Sequence, residues 1–461
     1  MADPRVTAAI VASALFMQNL DSAAVVTALP SMARDLGEDP ARLGVAITSY
    51  LVALTVFIPV SGFIADRFGA KRVFMLAIVL FGLASAACGL SDTLGELVAA
   101  RVIQGLGGAM MVPVGRLLLL STIRKEEMLT AMTWLTMPAM LGPISGPPLG
   151  GLLTDLFGWR SVFWINIPVA MLGLALVAWK IETPEKRDPG PPDLLGLFLV
   201  GAALACFMAG LETVGRGVLP RFWPETLLLA GLLLGGLALQ HCRRATRPAL
   251  DLSLLALPSF RAATLAGSLF RTGASAVPFL VPMLLQVGFG WSATEAGFVA
   301  FATALGAFAM KPLTRPILNR FGFRTVLIGN GVLAALGVAV GAGFTPAWPV
   351  AVMFVALALG GLFRSLQFTA LNTLTFADLP RERLSAGTGF YGTAQQLPGA
   401  LGVVLATTSL ELSRHFTGHA ALTPEDFTWA FLIAAAIVLA ATPGFLRLPR
   451  DAGAEVSGHK G

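Results

Sequence analysis

Met17 to Pro30 reads Met-Gln-Asn-Leu-Asp-Ser-Ala-Ala-Val-Val-Thr-Ala-Leu-Pro, which places one carboxylate, Asp21, inside an apolar run from Val6 to Leu29. About 20 apolar residues suffice for a helix to cross the hydrocarbon core of a bilayer, so the run reads as a membrane span. An ionisable group at that depth is costly and points to function, unless it merely hydrogen-bonds a neighbouring helix.

Runs of this kind recur along all 461 residues, of which 56% are hydrophobic and 13% charged, with a mean hydropathy of +0.77. The composition excludes a string of soluble domains and describes an all-α membrane protein. We read fourteen transmembrane helices, at about 6–29, 43–65, 72–90, 94–120, 129–153, 161–179, 194–211, 226–241, 261–286, 293–313, 324–343, 348–370, 385–411 and 428–446. An even count leaves both termini on one side. Loops on that side carry 22 Lys and Arg residues, whereas the opposite loops carry 6, namely Arg34, Arg42, Arg160, Arg216, Arg221 and Arg414. The positive-inside rule then makes both termini cytoplasmic in a multi-pass protein of the cell (inner) membrane.

The net charge of +6 is accounted for by these loops, so no nucleic-acid partner is expected. Cys88, Cys206 and Cys242 form no Cys-x-x-Cys pair, which argues against a disulfide framework or a metal site. Ala12-Ser13-Ala14 resembles a signal cleavage site but lies in mid-run, so the first span is expected to stay attached. His241, His415, His419 and His459 lie outside the span interiors and offer no intramembrane ligand pair. Gly105-Leu106-Gly107-Gly108 follows no strand and is no phosphate loop, and no Gly-x-x-x-x-Gly-Lys-Ser/Thr occurs. An enzyme and a passive channel are the competing readings from other classes.

Asp66-Arg67-Phe68-Gly69-Ala70-Lys71-Arg72, after the second span, is echoed by Asn319-Arg320-Phe321-Gly322-Phe323-Arg324 after the tenth, an offset of 253 residues. That register equates spans 1–6 with spans 9–14. The expected organisation is therefore two pseudo-symmetric six-helix bundles, residues 1–180 and 256–461, around an inserted helix pair at 181–255. Repeated halves about a midplane site are a common transporter plan.

With a rise of about 1.5 Å per residue, Asp21 lies about 12 Å and Arg101 about 10 Å below the outer ends of their helices. Opposite charges at one depth can pair, and Arg101 and Gln104 share a helix face that continues through Gly105 and Gly108. Burial and a neighbouring guanidinium act on a carboxyl in opposite senses, so Asp21 with Arg101 can load and release a proton as their separation changes. A permanent structural ion pair is the alternative. Met17, Gln18, Asn19, Gln104, Arg271 and Gln286 are cavity candidates, although Met-rich and aromatic faces also simply pack. Arg271 can balance Asp21 or attract an anion, while Arg116 and Arg364 can reach toward the cytoplasmic face, with Arg364 equally able to line the cavity.

At the cytoplasmic mouth, Gly62, Asp66, Arg67, Gly69, Lys71 and Arg72 form a candidate gating loop: glycines for close approach and a tight turn, charges for a contact that can form and release. In the fifth span, Gly142, Gly146 and Gly150 repeat at four-residue spacing beside Pro143, Pro147, Pro148 and Gly151. That pattern gives a small-residue helix interface with kinks, whether or not it also takes part in gating.

Together these stretches resemble the major facilitator superfamily, specifically its fourteen-span drug:proton antiporter branch. Leu20-Asp21 to Ala28-Leu29-Pro30 looks like the branch's first-span motif, and Gly62 to Arg72 like the superfamily's loop motif. Arg101 to Gly108 looks like its fourth-span motif, and Gly142 to Gly151 like the antiporter motif. Trp159-Arg160 with Phe163-Trp164-Ile165-Asn166-Ile167-Pro168 also fits. The resemblance implies alternating access, with a lipophilic and often cationic drug exported by a monomer against inward proton flow, and no cofactor. The family usually has Thr where this chain has Ala23 and Asn where it has Val26. The central parts of spans 9–13 hold no carboxylate, and Glu212 and Glu411 lie near outer ends. These departures leave room for an endogenous neutral or anionic metabolite or lipid.

Overall fold

Backbone N–H and C=O groups that enter hydrocarbon must find partners within their own segment, and the α-helix supplies them all. The computed structural model describes residues 4–38, 40–181, 190–213, 220, 222–418 and 422–459, and these form helices and short connections with no strand among them. Eleven helical stretches are long and apolar enough to cross a membrane, and Glu295–Ala309 is a shorter apolar helix. Of the residues named above, Arg216, Arg221 and His419 lie outside the described residues, as do the side chains of Pro30, Arg42, Pro143, Pro147 and Glu212.

The chain divides into two compact units, the first comprising residues 1–252 and 380–393. Its helices are α1 (Pro4–Leu36), α2 (Pro40–Phe57), α3 (Ser61–Phe68), α4 (Ala70–Leu90), α5 (Leu94–Thr122), α6 (Met128–Phe157), α7 (Ser161–Trp164), α8 (Asn166–Lys180), α9 (Leu194–Thr213) and α10 (Trp223–Arg244). The predicted second span is divided between α2 and α3 by a 3₁₀ turn at Ile58–Val60, where Pro59 has no N–H to donate. The predicted sixth is divided at Ile165. The predicted fifth is a single helix, α6, that runs through its prolines to Gly158.

The small-residue face of α6 lies on α1. A Cβ on Gly142 would fall 2.6 Å from the Asn19 Cβ, and one on Gly146 would overlap the Ala23 Cβ. On Gly150 it would stand 2.5 Å from Thr27 Oγ1 and 2.8 Å from the Ala24 backbone. A Cβ on Gly151 would meet nothing within 4 Å. Gly150→Ala is therefore expected to destabilise the protein by about 1–3 kcal/mol through overpacking against backbone that cannot yield. Gly151→Ala should be neutral or slightly stabilising, since Ala is the better helix former. Thermal melts of the two purified variants check this, and equal midpoints would contradict the packing.

The start of α9 is tied to the end of α10 by Asp193, whose Oδ1 accepts from His241 Nε2 at 2.8 Å and from the Gly196 amide at 2.9 Å. Its Oδ2 accepts from the Ala249 amide at 3.0 Å. Burial alone would push this carboxyl up, but these donors outweigh it and hold it below its ordinary 3.8. A carboxyl with a depressed folded-state pKa stabilises fully above its unfolded value and loses that contribution as pH falls through the folded one. Asp193→Asn should accordingly melt with a shallower acid dependence below about pH 4 than wild type. Parallel acid profiles would show that the tie contributes nothing.

The second unit comprises residues 253–379 and 394–461. Its helices are α11 (Pro258–Arg261), α12 (Gly267–Met283), α13 (Ala293–Ala309), α14 (Lys311–Ala339), α15 (Val350–Ala377), α16 (Leu384–Thr417), α17 (Pro424–Ala440), α18 (Thr442–Leu446) and α19 (Ala454–Ser457), with the start of α16 belonging to the first unit. π-helical segments at Ala262–Ala266 and Leu284–Gly288 make 258–288 one continuous stretch.

The two Arg-Phe-Gly loops share more than sequence. Gly69 has φ 93° and Gly322, at the kink within α14, has φ 71°, a backbone that glycine adopts without a Cβ penalty. Lys71 Nζ donates to the Ala178 and Ile181 carbonyls at 3.1 and 2.6 Å, in the last turn of α8 and at its C-cap. Arg324, which is 253 residues later, donates through Nη2 to the Leu446 carbonyl at the end of α18 at 3.0 Å. Each loop thus sets a cation on the carbonyl end of a helix within its own unit, where the dipole favours positive charge.

Candidate functional site

Glycines on α5 let two neighbouring helices close on it. A Cβ at Gly105 would stand 2.6 Å from the Tyr50 carbonyl of α2, and one at Gly107 would stand 2.9 Å from the Phe81 amide of α4. That approach lays the Tyr50 ring under the Arg101 guanidinium, 4.4 Å from its centroid, and brings the Ala46 carbonyl to 3.3 Å from Arg101 Nε. Phe163 of α7 flanks the guanidinium at 5.8 Å.

Asp21 of α1 meets this group directly. Its Oδ2 accepts from Arg101 Nη1 at 2.6 Å, and its Oδ1 accepts from Gln104 Nε2 at 3.0 Å and from Asn166 Nδ2 of α8 at 2.7 Å. The two side chains of the ion pair are 0% and 1% exposed, so the site is sealed within the first unit. Ser85 of α4 closes the ring, accepting from Gln104 Nε2 at 2.7 Å and from Asn166 Nδ2 at 2.9 Å. Cys88 lies next to it, its Sγ 3.9 Å from Gln104 Oε1.

Three donors converge on the carboxylate, which is a set that solvates an anion in place of water. The guanidinium has a second set of supports besides Asp21: Gln104 Oε1 at 2.5 Å, the Ala46 carbonyl and two aromatic faces. Arg101 is therefore anchored by groups other than Asp21 as well.

The sequence pointed to Asp21, Arg101 and Gln104, and the structure brings all three together. Met17 and Gln18 are buried on the same helix, Asn19 Nδ2 donates to the Leu15 carbonyl at 2.9 Å, and Gln286 is exposed in the second unit. Asn166, Ser85 and Tyr50 had not been identified as site residues. Asn166 carried a usable signal, an amide inside an apolar run, but served only as part of a family signature. Ser85 and Tyr50 carry none, because a lone hydroxyl in an apolar helix is common and costs little.

Of the predicted gating loop, Gly62 packs against the start of α16. Gly62 has no room for a Cβ, which would fall 2.8 Å from the Ser385 carbonyl, and its own carbonyl accepts from Ser385 Oγ at 2.9 Å. Arg383 Nη2 pairs with Asp251 at 2.6 Å, Arg381 Nη2 donates to the Ile123 carbonyl, and Arg116 sits over the Tyr391 ring. Asp66 is half-buried, and Arg67 and Arg72 are exposed. In the second unit, Arg271 Nη2 donates at 3.2 Å to Asn372 Oδ1, which also accepts from Gln395 Nε2 at 2.9 Å, and the guanidinium lies over Phe368.

At the outer end of the first unit, Trp159 Nε1 donates to Asp35 Oδ2 at 2.9 Å and Arg160 pairs with both Asp35 and Asp92. The hydrogen bonds from Trp159 and Arg160 hold the Asp35 carboxyl below its ordinary value. These groups are open to solvent, so Arg160→Ala should leave the thermal midpoint close to that of wild type, far from the effect expected at Arg101.

Comparison with known proteins bears directly on this architecture. The pattern of the Major Facilitator Superfamily matches residues 11–249 and 263–461. The chain belongs to the major facilitator superfamily. Relatives include proteins described as "Putative multidrug resistance protein MdtD". The one from Klebsiella pneumoniae (strain 342) is 37% identical over 448 residues, 96% of this chain and 94% of that protein. The one from Escherichia coli O6:H1 is 37% identical over 452 residues with the same coverage. Among solved structures, the human organic anion transporter MFSD10 (TETRAN) superposes with a TM-score of 0.71 at 16% identity, over 96% of this chain and all of that one. The proton:xylose symporter XylE gives 0.68 at 14% identity, over 97% and 96%. At such identities these two likenesses speak for the fold alone. As a superfamily member this chain is a multi-pass membrane transporter and not an enzyme.

Proposed function

We propose that this transporter is a proton-coupled exporter of small lipophilic compounds, of the fourteen-span drug:proton antiporter branch. The observation that carries the reading is Asp21: a carboxylate with no exposed surface, in a transmembrane helix, held by three donors from two other helices. Buried ionisable groups of this kind mark proton relays in transporters. The eleven apolar stretches, taken with α6, α13 and α16, make up the fourteen spans, and both termini are cytoplasmic on the loop-charge count. Alternating access moves two six-helix bundles about the midplane. Proton entry to Asp21 from outside removes the charge that Arg101, Gln104 and Asn166 hold, and substrate binding from within restores it. The protein works as a monomer in the inner membrane and needs no cofactor.

A second reading, export of a neutral or anionic compound, is favoured by Arg271 and by the absence of a carboxylate from the central parts of spans 9–13. Proteoliposomes with an imposed pH gradient and a panel of cationic, neutral and anionic lipophiles test both. Uphill movement of cations supports the first reading and of anions the second, while movement indifferent to the gradient contradicts proton coupling altogether.

A further inference from the structure

We infer that the second unit holds a compact inorganic anion of chloride size beside Arg364. This residue lies 14 positions after Val350 and 13 before Ala377 on α15, so each end of the helix is about 20 Å away. A guanidinium there is beyond easy reach of either membrane surface. Among the described residues it has no hydrogen bond, ion pair or ring contact, unlike Arg101, Arg116 and Arg271. It lines a cavity formed by apolar residues of four helices, among them Phe270, Val277, Ala334, Leu357 and Val438, with Thr303 of a fifth helix, α13, as the other polar side chain. No carboxylate lines that cavity.

A charge surrounded by apolar walls is costly unless an opposite charge accompanies it. The described residues supply none, so the counter-charge comes from outside. Size decides its class: the space open to the centre of a water-sized particle is about 20 Å³. One water needs about 10–15 Å³ on that measure, so the cavity admits a single small particle and excludes a drug-sized organic anion. A lone water would hydrate the guanidinium but leave its charge uncompensated, whereas a halide cancels it. The inference is independent of Asp21 and of the direction of transport.

The test is thermal stability of the purified full-length protein at constant ionic strength, with gluconate replaced stepwise by chloride or bromide. Wild type should gain about 2 °C or more, saturably, with either halide. Arg364→Gln should lose the halide response, and Arg364→Lys, which keeps a cation, should retain it at higher halide concentration. A wild-type midpoint equal in chloride and gluconate would overturn the proposal, leaving water as the occupant. So would a halide response that persists in Arg364→Gln. A response to small organic carboxylates but not to halides would also overturn it, by refuting the size argument.

Discussion

Asp21→Asn should reduce uphill transport to the rate of protein-free liposomes while costing little stability. The amide keeps the shape of the carboxyl but carries neither charge nor a transferable proton. Its environment can accept it: Asn166 Oδ1 has no hydrogen-bond partner among the described residues, so rotation of that amide offers an acceptor to the new NH₂ group. Arg101 retains Gln104, Ala46 and the rings of Tyr50 and Phe163. If neutral Asp21 is a natural state of the cycle, its mimic must be tolerated. A permanent ion pair makes the opposite prediction, since removing one partner of a buried pair costs about 3–5 kcal/mol. Transport in ΔpH-loaded vesicles together with a thermal melt separates the two: loss of pumping with a near-native midpoint fits the account, and a collapsed midpoint fits the static pair.

Arg101→Ala is expected to be the more damaging change to the fold, at about 3–5 kcal/mol. Arg101 is among the largest fully buried side chains, and its removal leaves a void beneath Tyr50 and a carboxylate with only two amide donors. The cost arises from what is left behind rather than from the pair's intrinsic worth, because burying two charges consumes most of what their attraction returns. Asp21→Asn combined with Arg101→Gln should therefore recover more than half of the lost stability without recovering transport. A double variant no more stable than Arg101→Ala would show that the void, not the orphaned charge, dominates. Chemical or thermal unfolding of the three proteins gives the comparison.

How far the sequence reached can be judged from the residues themselves. Asp21 and Arg101 were legible because ionisable side chains inside apolar runs are rare, and equal depth along two helices follows from rise per residue alone. The Arg-Phe-Gly echo was legible because the same turn needs the same glycine, and its 253-residue register recurs in the contacts of Lys71 and Arg324. Asn166 and Ser85 were out of reach as partners, since which neighbouring helix supplies a donor depends on packing angles that no local pattern encodes. The breaks at Ile58–Val60 and Ile165 were hidden for a related reason: apolar periodicity records burial in lipid and not the continuity of the backbone. Gly62 and Ser385, which meet where the start of α16 joins the first unit, are 323 residues apart, and nothing in either segment announces the other.

The central claim is that Asp21 changes its protonation during transport. Infrared difference spectroscopy on reconstituted protein, with Asp21→Asn spectra subtracted, reads that state from the carboxyl bands. On shifting from substrate-saturating to substrate-free, acid-outside conditions, a protonated carboxyl stretch assignable to Asp21 should appear and its carboxylate bands should fade. A spectrum in which Asp21 remains a carboxylate under every condition that supports transport would contradict the account and reduce the Asp21–Arg101 pair to a structural tie.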